Sequence, residues 1–244
     1  MSKIKICYLY SDALNPAGDS GNIKAIVRHL KENKLEAEVT NHLLGESINP
    51  DDFDIFYLGG AQDFNRKTIL EDLKSTKNDQ AIKKAIESGK TFIAIGGGFE
   101  LLGKYFETLE GANIAEIGAL DFYTINSSER EAKNFMFEVE EVGKVIGFEN
   151  HSGKTYLGSN VKPLGKVLIG DGNNGEDQTE GARYKNVFGT YAGGPVLVKN
   201  PAFCNYILST ATNKFIRTTN SYENAAHNYM VERLESKKQE SSNF

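Results

Sequence analysis

Three glycines directly after an apolar segment form the stretch of this sequence whose residue types and spacing point most clearly to chemistry. Residues 91–95 (Thr-Phe-Ile-Ala-Ile) predict a strand buried on both faces, and residues 96–98 predict a tight turn into a helix. A strand, a sharp glycine turn and a helix in this order form a nucleophile elbow, whose central residue holds its side chain above the sheet. The central residue here is Gly96, which has no side chain to act as a nucleophile.

A glycine-rich turn between a strand and a helix can also bind phosphate on its backbone N–H groups. A dinucleotide site needs G-x-G-x-x-G, and a P-loop needs a Lys followed by Ser or Thr after the last glycine. The sequence Gly96-Gly97-Gly98-Phe99-Glu100 contains neither pattern, and the acidic Glu100 would repel phosphate. Phosphate binding is therefore the less favoured alternative.

Composition restricts the possible functions. The 244 residues carry a net charge of −5, and the 28 Lys and Arg residues are scattered among 33 acids, which argues against a dedicated nucleic-acid binder. No apolar run approaches the roughly 18 residues that a membrane span needs, so we expect a cytoplasmic protein without one. Cys7 and Cys204 are expected to pack in the core of a reduced protein, with a disulfide as the alternative.

The elements before residue 103 alternate between strands and helices. Such an order predicts an α/β fold with a mostly parallel central sheet flanked by helices. His29 falls on the polar side of the first helix, where we expect it to be solvated. The predicted strands cover residues 3–10, 36–42, 54–58 and 91–95. The first predicted helix starts at Asn22, and two further helices cover residues 67–73 and 79–87.

After residue 103 the strands become short and closely spaced, which favours antiparallel hairpins packed on the edge of the first sheet. The polar segment 171–177 has the acids of a calcium loop but lacks the closing Glu and the flanking helices, so we predict a solvated or substrate-facing loop and no metal site. We expect one domain over residues 1–236 and a frayed tail over 237–244. The later strands are predicted at 119–124, 135–139, 144–149, 167–169 and 187–191, and helices at 201–208 and 220–234.

The segment 96–103 resembles the elbow of the class I glutamine amidotransferases of the cobyric-acid-synthase type, Cys-Gly-Gly-Tyr-Gln-x-Leu-Gly. Further segments are similar to the GatD-like branch of that family: 11–12 with 19–22, 54–60, 120–124, 147–151, 184–186 and 189–191. The resemblance runs from about residue 4 to 203. It implies a class I amidotransferase fold, related to flavodoxin, in which a Cys attacks glutamine and a His prepares the thiolate.

Two departures from the family remove this chemistry. Gly96 stands at the position of the Cys, and Gly193, within Gly189-Thr190-Tyr191-Ala192-Gly193-Gly194-Pro195, stands at the position of the His. Because nucleophile and base are both missing, we expect glutaminase activity to be lost. His151 could replace the base, but a base without a nucleophile achieves little. The substitutions resemble natural drift more than a designed knockout.

The resemblance implies that binding groups remain. Gly60 and Gly97 match the oxyanion-hole positions, whose N–H groups do not depend on the lost side chains. Arg130 matches an Arg that clamps the glutamine α-carboxylate, as a guanidinium does well; a solvated surface Arg beside Glu129 and Glu131 is the alternative. Glu100 and His151 are expected beside the substrate, and no cofactor is expected.

The resemblance leaves three functions open. The first is a subunit that pairs with a MurT-like Mur-ligase subunit in a heterodimer amidating the D-glutamate of lipid II. The second is a stand-alone module that binds glutamine or another amino acid. The third is an amidotransferase, related to cobyric acid synthase, that uses free ammonia.

Overall fold

A six-stranded, mostly parallel sheet organises the protein, whose computed structural model describes residues 3–15, 18–60, 63–219 and 221–242. A second sheet and seven α-helices surround it within the described residues. In chain order the elements are β1 (Ile4–Leu9), α1 (Ser20–Glu32), β2 (Ala37–His42), β3 (Ile55–Leu58), α2 (Asp63–Ser75), α3 (Asn78–Glu87), β4 (Thr91–Ile95), α4 (Gly97–Glu100), β5 (Tyr105–Glu107), β6 (Asn113–Ala115), β7 (Phe122–Val139), β8 (Gly143–Leu157), β9 (Gly165–Ile169), β10 (Thr179–Glu180), β11 (Ala182–Tyr184), β12 (Val187–Thr190), α5 (Val196–Lys199), α6 (Pro201–Thr212) and α7 (Ser221–Ser242).

The first sheet has the strand order β11-β12-β4-β3-β1-β2 and is parallel except at its β11 edge. Side chains alternate across a strand, so Ile6 packs with α1 and α6 on one face while Cys7 packs with α2 and α3 on the other. Both faces are thus covered, as in other mostly parallel sheets. The predicted α/β fold with a flanked central sheet is confirmed.

Both cysteines are free and buried, in the two different core clusters. Burial raises the pKa of the Cys7 thiol to about 12 and that of Cys204 still further. The prediction of core packing is confirmed for both residues, and the disulfide alternative is wrong.

β12 corrects the prediction for residues 187–191. These residues were expected in the antiparallel set, but β12 is parallel to β4 and pairs Thr190 with Ile95. The local pattern of short strands could not show this, because the partner lies far back in the chain. The pairing places the end of β12 beside Gly96, at the carboxyl edge of the sheet where open α/β folds bind ligands.

The second sheet has the order β10-β9-β7-β5-β6, with β8 paired to β7. Its pairings are antiparallel, as expected after residue 103, except that β5 is parallel to β7. The separate strands expected at 119–124 and 135–139 belong, from residue 122 on, to one 18-residue strand, β7. The register between β7 and β8 shifts between Asn126 and Glu131. This bulge contains Arg130.

Two helices at the C-terminal end extend beyond their predicted limits. α6 continues to Thr212, and α7 continues to Ser242, into the segment expected to be a frayed tail. Leu234 of α7 packs against Met136 and Ile146 of the second sheet. Among the described helices, none has the length and hydropathy to cross a bilayer.

The prediction that His29 is solvated is wrong, because its side chain is fully buried. Its Nδ1 lies 2.9 Å from Oδ1 of Asn205, and its Nε2 lies 3.8 Å from the carboxylate of Glu223. These partners come from α6 and α7, which cover the side of α1 that the helical pattern marked as polar.

Candidate functional site: an elbow without a nucleophile

Gly96 has the backbone conformation of a nucleophile elbow. Its φ is 52° and its ψ is −122°, and α4 begins at the next residue. The Gly96 N–H donates to the carbonyl of Thr190 at 2.8 Å, which ties the turn to β12. A Cβ added to Gly96 would find its nearest heavy atom, Cα of Gly60, 3.9 Å away. The apex therefore has room for a side chain and lacks one.

Gly98 is glycine for a different reason. A Cβ at this position would lie 2.3 Å from the carbonyl oxygen of Gly59 and 2.8 Å from that of Leu58. Contacts this short between a methyl carbon and a backbone oxygen are strongly repulsive, so a side chain here would push α4 away from the end of β3. The elbow helix can approach the sheet only because residue 98 has no side chain.

Gly193 lies three residues beyond the end of β12. Its N–H donates to the carbonyl of Phe148 at 3.0 Å, and the Phe148 N–H donates back to Gly193 at 3.3 Å. A Cβ at position 193 would lie 3.2 Å from the Phe148 oxygen, so a side chain would need a shift of a few tenths of an ångström. Gly96 and Gly193 follow neighbouring parallel strands at one edge of the sheet; that they face each other across one pocket stays a prediction.

The N–H of Gly60, one of the two expected oxyanion donors, already has an acceptor. It donates to Oδ2 of Asp19 at 3.2 Å, and the hydroxyl of Tyr57 donates to the other Asp19 oxygen at 2.7 Å. Asp19 is buried, and this burial raises its pKa. An oxyanion hole at Gly60 and Gly97 requires the Gly60 N–H to leave Asp19, so this role stays a prediction.

Glu100 lies in a buried ion-pair cluster that sequence reasoning missed. The Arg66 guanidinium donates to the carboxylates of Glu100 and Glu116, and it lies 3.9 Å above the centre of the Phe106 ring. Glu100 is 6% exposed, and its second oxygen accepts the hydroxyl of Tyr191 at 3.0 Å. These contacts satisfy the charge of Glu100 without a substrate, and its substrate contact stays a prediction. No pattern in the residues around Arg66 could predict this role, because its partners are distant in sequence.

His151 lies next to this cluster. Its ring stacks on Tyr191 with the centroids 3.7 Å apart, and its Nδ1 is 2.8 Å from the carbonyl oxygen of Gly153. Burial lowers the pKa of His151, so the ring is neutral at neutral pH. A carbonyl can only accept, hence Nδ1 is the protonated nitrogen. Nε2 then has a free lone pair, and no described residue forms a hydrogen bond with it.

Arg130 is exposed at the β7 bulge, where its Nε donates to Oδ1 of Asn150 at 2.7 Å. No described carboxylate forms an ion pair with Arg130, and Glu131 pairs instead with Lys133. The exposure of Arg130 agrees with the alternative of a solvated surface Arg beside Glu129 and Glu131. A glutamine clamp at Arg130 stays a prediction.

Asparagine side chains in the loop after β9 bind nearby backbone groups. Oδ1 of Asn174 accepts the N–H groups of Glu176 and Asp177, and Asn173 binds the backbone of Gly181. These side chains hold the loop's own backbone. The described carboxylates that could share one cation are instead those of Glu131, Glu149 and Asp171, whose oxygens lie within 4.8 Å of one another.

The flanked parallel sheet, the strained turn after β4 and the glycine pair after β3 define an α/β protein with a nucleophile-elbow turn whose central residue is Gly96. The chain belongs to the CobB/CobQ-like glutamine amidotransferase family, since the model of that domain matches residues 5–201. The resemblance seen in the sequence is thereby confirmed.

Two relatives and one solved structure illustrate the family membership. The chain is 37% identical over 214 residues to "Lipid II isoglutaminyl synthase (glutamine-hydrolyzing) subunit GatD" of Staphylococcus aureus, covering 88% of this chain and 86% of that protein. It is 37% identical over 216 residues to the subunit of the same name in Streptococcus pneumoniae, covering 87% and 82%. A glutamine amidotransferase structure from Thermotoga maritima, 12% identical, aligns with a TM-score of 0.55 over 96% of this chain and 99% of that one, which supports the fold alone.

Proposed function

We propose that this chain is a GatD-like subunit that no longer hydrolyses glutamine and that serves a Mur-ligase-like partner as a structural or regulatory subunit. The proposal rests on one observation: Gly96 has a φ of 52°, the strained conformation of a nucleophile elbow. In the proposal, the elbow has kept this conformation after losing its nucleophile. A residue released from catalysis but held at positive φ has least strain as glycine. The paired glycine at position 193 removes the base as well.

The proposed reaction partner is a MurT-like ligase subunit, and the proposed acceptor is the D-glutamate carboxyl of lipid II. The similarity to the two GatD subunits extends over most of both chains and supports this assignment. Co-purification of the chain with such a ligase, without release of glutamate from glutamine, is the expected result. A measured glutaminase turnover in the unmodified chain would reject the loss of activity.

Restoring both side chains tests the assignment of the site. We expect Gly96→Cys with Gly193→His to recover hydrolysis of glutamine, because position 96 is open and position 193 needs only a small shift. Each single variant should stay inactive, since nucleophile and base act as a unit. Gly194→His with Gly96→Cys is the matched control; equal activity in this control would contradict the assignment of position 193.

A second function, a stand-alone amino-acid binding module, is favoured by one observation. Arg130 is exposed and forms no ion pair with a described carboxylate, so its guanidinium can receive the α-carboxylate of a ligand. Calorimetry with glutamine should detect binding that Arg130→Ala abolishes and Arg183→Ala leaves intact. Absence of binding in the unmodified chain rejects this function. Ammonia-dependent amidation by the chain with its ligase would support the third possibility, an amidotransferase using free ammonia.

A further inference from the structure

A chain of hydrogen bonds runs from α5 to the turn after β3. The Leu197 N–H donates to Oδ1 of Asn22 at 2.8 Å, and Nδ2 of Asn22 donates to the hydroxyl of Tyr57 at 2.7 Å. The Tyr57 hydroxyl donates to Oδ1 of Asp19 at 2.7 Å, and the Gly60 N–H donates to Oδ2 of Asp19 at 3.2 Å. We call the side chains of Asp19, Asn22 and Tyr57 the relay.

The relay is shielded from water. Asn22 is 1% exposed, Asp19 is 2% exposed and Tyr57 is fully buried. Asp19 and Asn22 lie three residues apart at the start of α1, so the segment 19–22, which resembles the family, supplies two of the three side chains. Because water has little access here, each polar group of the relay depends on its protein partners.

The order of the donors determines where the protons of the relay lie. A backbone N–H can only donate, so Asn22 must turn its oxygen to Leu197 and its NH₂ group to Tyr57. The Tyr57 hydroxyl accepts from Asn22 and therefore gives its own proton to Asp19. Asp19 thus faces one donor at each oxygen, the Tyr57 hydroxyl and the Gly60 N–H, and the acceptor-only form, the ionised carboxylate, fits both.

We propose that Asp19, Asn22 and Tyr57 are positioning residues: they hold the Gly60 N–H on Asp19 and so control whether this N–H can bind an oxygen of a ligand. The Gly60 hydrogen bond is the longest of the chain, at 3.2 Å, and Gly60 is only half-buried, so this bond is the one that opens most easily. The proposal rests on the proposed function in one respect, the family role expected for Gly60 as an oxyanion donor. It does not depend on whether hydrolysis of glutamine is lost.

Amide hydrogen exchange and ¹⁵N NMR on the full chain test the relay without any enzymatic activity, so a failure of the proposed function leaves this test intact. In the unmodified chain the Gly60 amide should be protected from exchange. In Asp19→Asn the proton order turns the NH₂ group of the new side chain toward the Gly60 N–H, and two donors then oppose each other. The Gly60 amide should exchange about tenfold faster, and its proton resonance should move upfield.

A second substitution should reverse this effect. Adding Tyr57→Phe to Asp19→Asn removes the hydroxyl that fixes the proton order, so the new amide can turn its oxygen to Gly60 and the protection should return. Damage to the fold cannot produce such a recovery. Tyr8→Phe is the matched control, because the buried Tyr8 hydroxyl has no hydrogen-bond partner among the described residues and its ring centroid lies 5.4 Å from that of Tyr57.

An unprotected Gly60 amide in the unmodified chain overturns the proposal, and this result requires no variant to fold. An unchanged Gly60 amide in Asp19→Asn also overturns it, with the Leu197 amide resonance serving as the check that the fold is intact. The proposal is equally overturned if Gly60 exchanges as fast in Asp19→Asn with Tyr57→Phe as in Asp19→Asn alone. An equal effect of Tyr8→Phe would overturn it too, since altered packing would then explain the change.

Discussion

The hydroxyl of Tyr191 donates to the carboxylate of Glu100 at 3.0 Å and so joins the end of β12 to the elbow helix. The same hydroxyl lies 2.7 Å from Oγ1 of Thr155 on β8. Side chains therefore link three elements near Gly96: β8, the end of β12 and the elbow helix α4. None of these contacts involves a side chain at position 96 or 193.

Substitutions at two neighbouring glycines should differ in cost. Gly96→Ala meets no atom closer than 3.9 Å and should lower the free energy of unfolding by only about 1 kcal/mol, the strain of a non-glycine residue at positive φ. Gly98→Ala places a methyl group 2.3 Å from a backbone oxygen and should cost about 3 kcal/mol or more. Urea denaturation measures both, and equal costs would contradict the described elbow.

Removal of Arg66 should destabilise the protein strongly. Arg66→Met leaves the buried carboxylates of Glu100 and Glu116 without their cation, at a cost of about 3 to 5 kcal/mol. Lys84→Met, which breaks an exposed pair with Asp51, should leave the stability almost unchanged because solvent screens that pair. Adding Glu100→Gln and Glu116→Gln to Arg66→Met should recover part of the lost free energy of unfolding. A triple variant less stable than Arg66→Met alone would count against the ion-pair explanation.

Glu180 should make stability depend on pH. Burial raises its pKa from 4.5 to about 7, while one oxygen accepts from Thr190 and from the Tyr191 N–H. The folded state holds the proton more tightly than the unfolded state, so this stabilisation is complete below pH 4.5 and is lost as the pH rises to about 7. Glu180→Gln should remove that dependence, on the order of 2 kcal/mol between pH 5 and 8. Chemical denaturation at the two pH values measures the change in the free energy of unfolding. The same change in Glu180→Gln as in the unmodified chain would refute the role of Glu180.

α7 should contribute to the stability of the second sheet through its buried Leu234, beside the partly buried Met230 and Val231. Leu234 is 7% exposed and packs on Met136 and Ile146, so Leu234→Ala should cost about 2 to 4 kcal/mol. Tyr229 on the same helix is 62% exposed, and Tyr229→Ala should change stability by less than about 0.5 kcal/mol. Thermal or urea unfolding of both variants distinguishes a docked helix from a loose one.

The features that the sequence predicted correctly are local. The strand 91–95 and its glycine turn could be located because the apolar run and the glycines adjoin one another. The pairing of β12 with β4 could not, since strand patterns do not identify distant partners. His29 was misplaced because a helical pattern shows which side of α1 is polar but not that Asn205 and Glu223 cover it.

The candidate site divides in the same way. The roles proposed for Gly96 and Gly193 rest on the family motifs that surround them in sequence. The Arg66 ion pairs and the stacking of His151 on Tyr191 could not be predicted, because their members come from helices and strands separated by long stretches of chain. Such contacts leave no pattern in neighbouring residues.

Phe148 and Gly193 are joined through main-chain atoms alone. An attachment of this kind is indifferent to which amino acid occupies either position, provided that the side chain is small enough to fit. A change of side chain at position 193 therefore leaves in place the main-chain link that fastens the segment after β12 to β8.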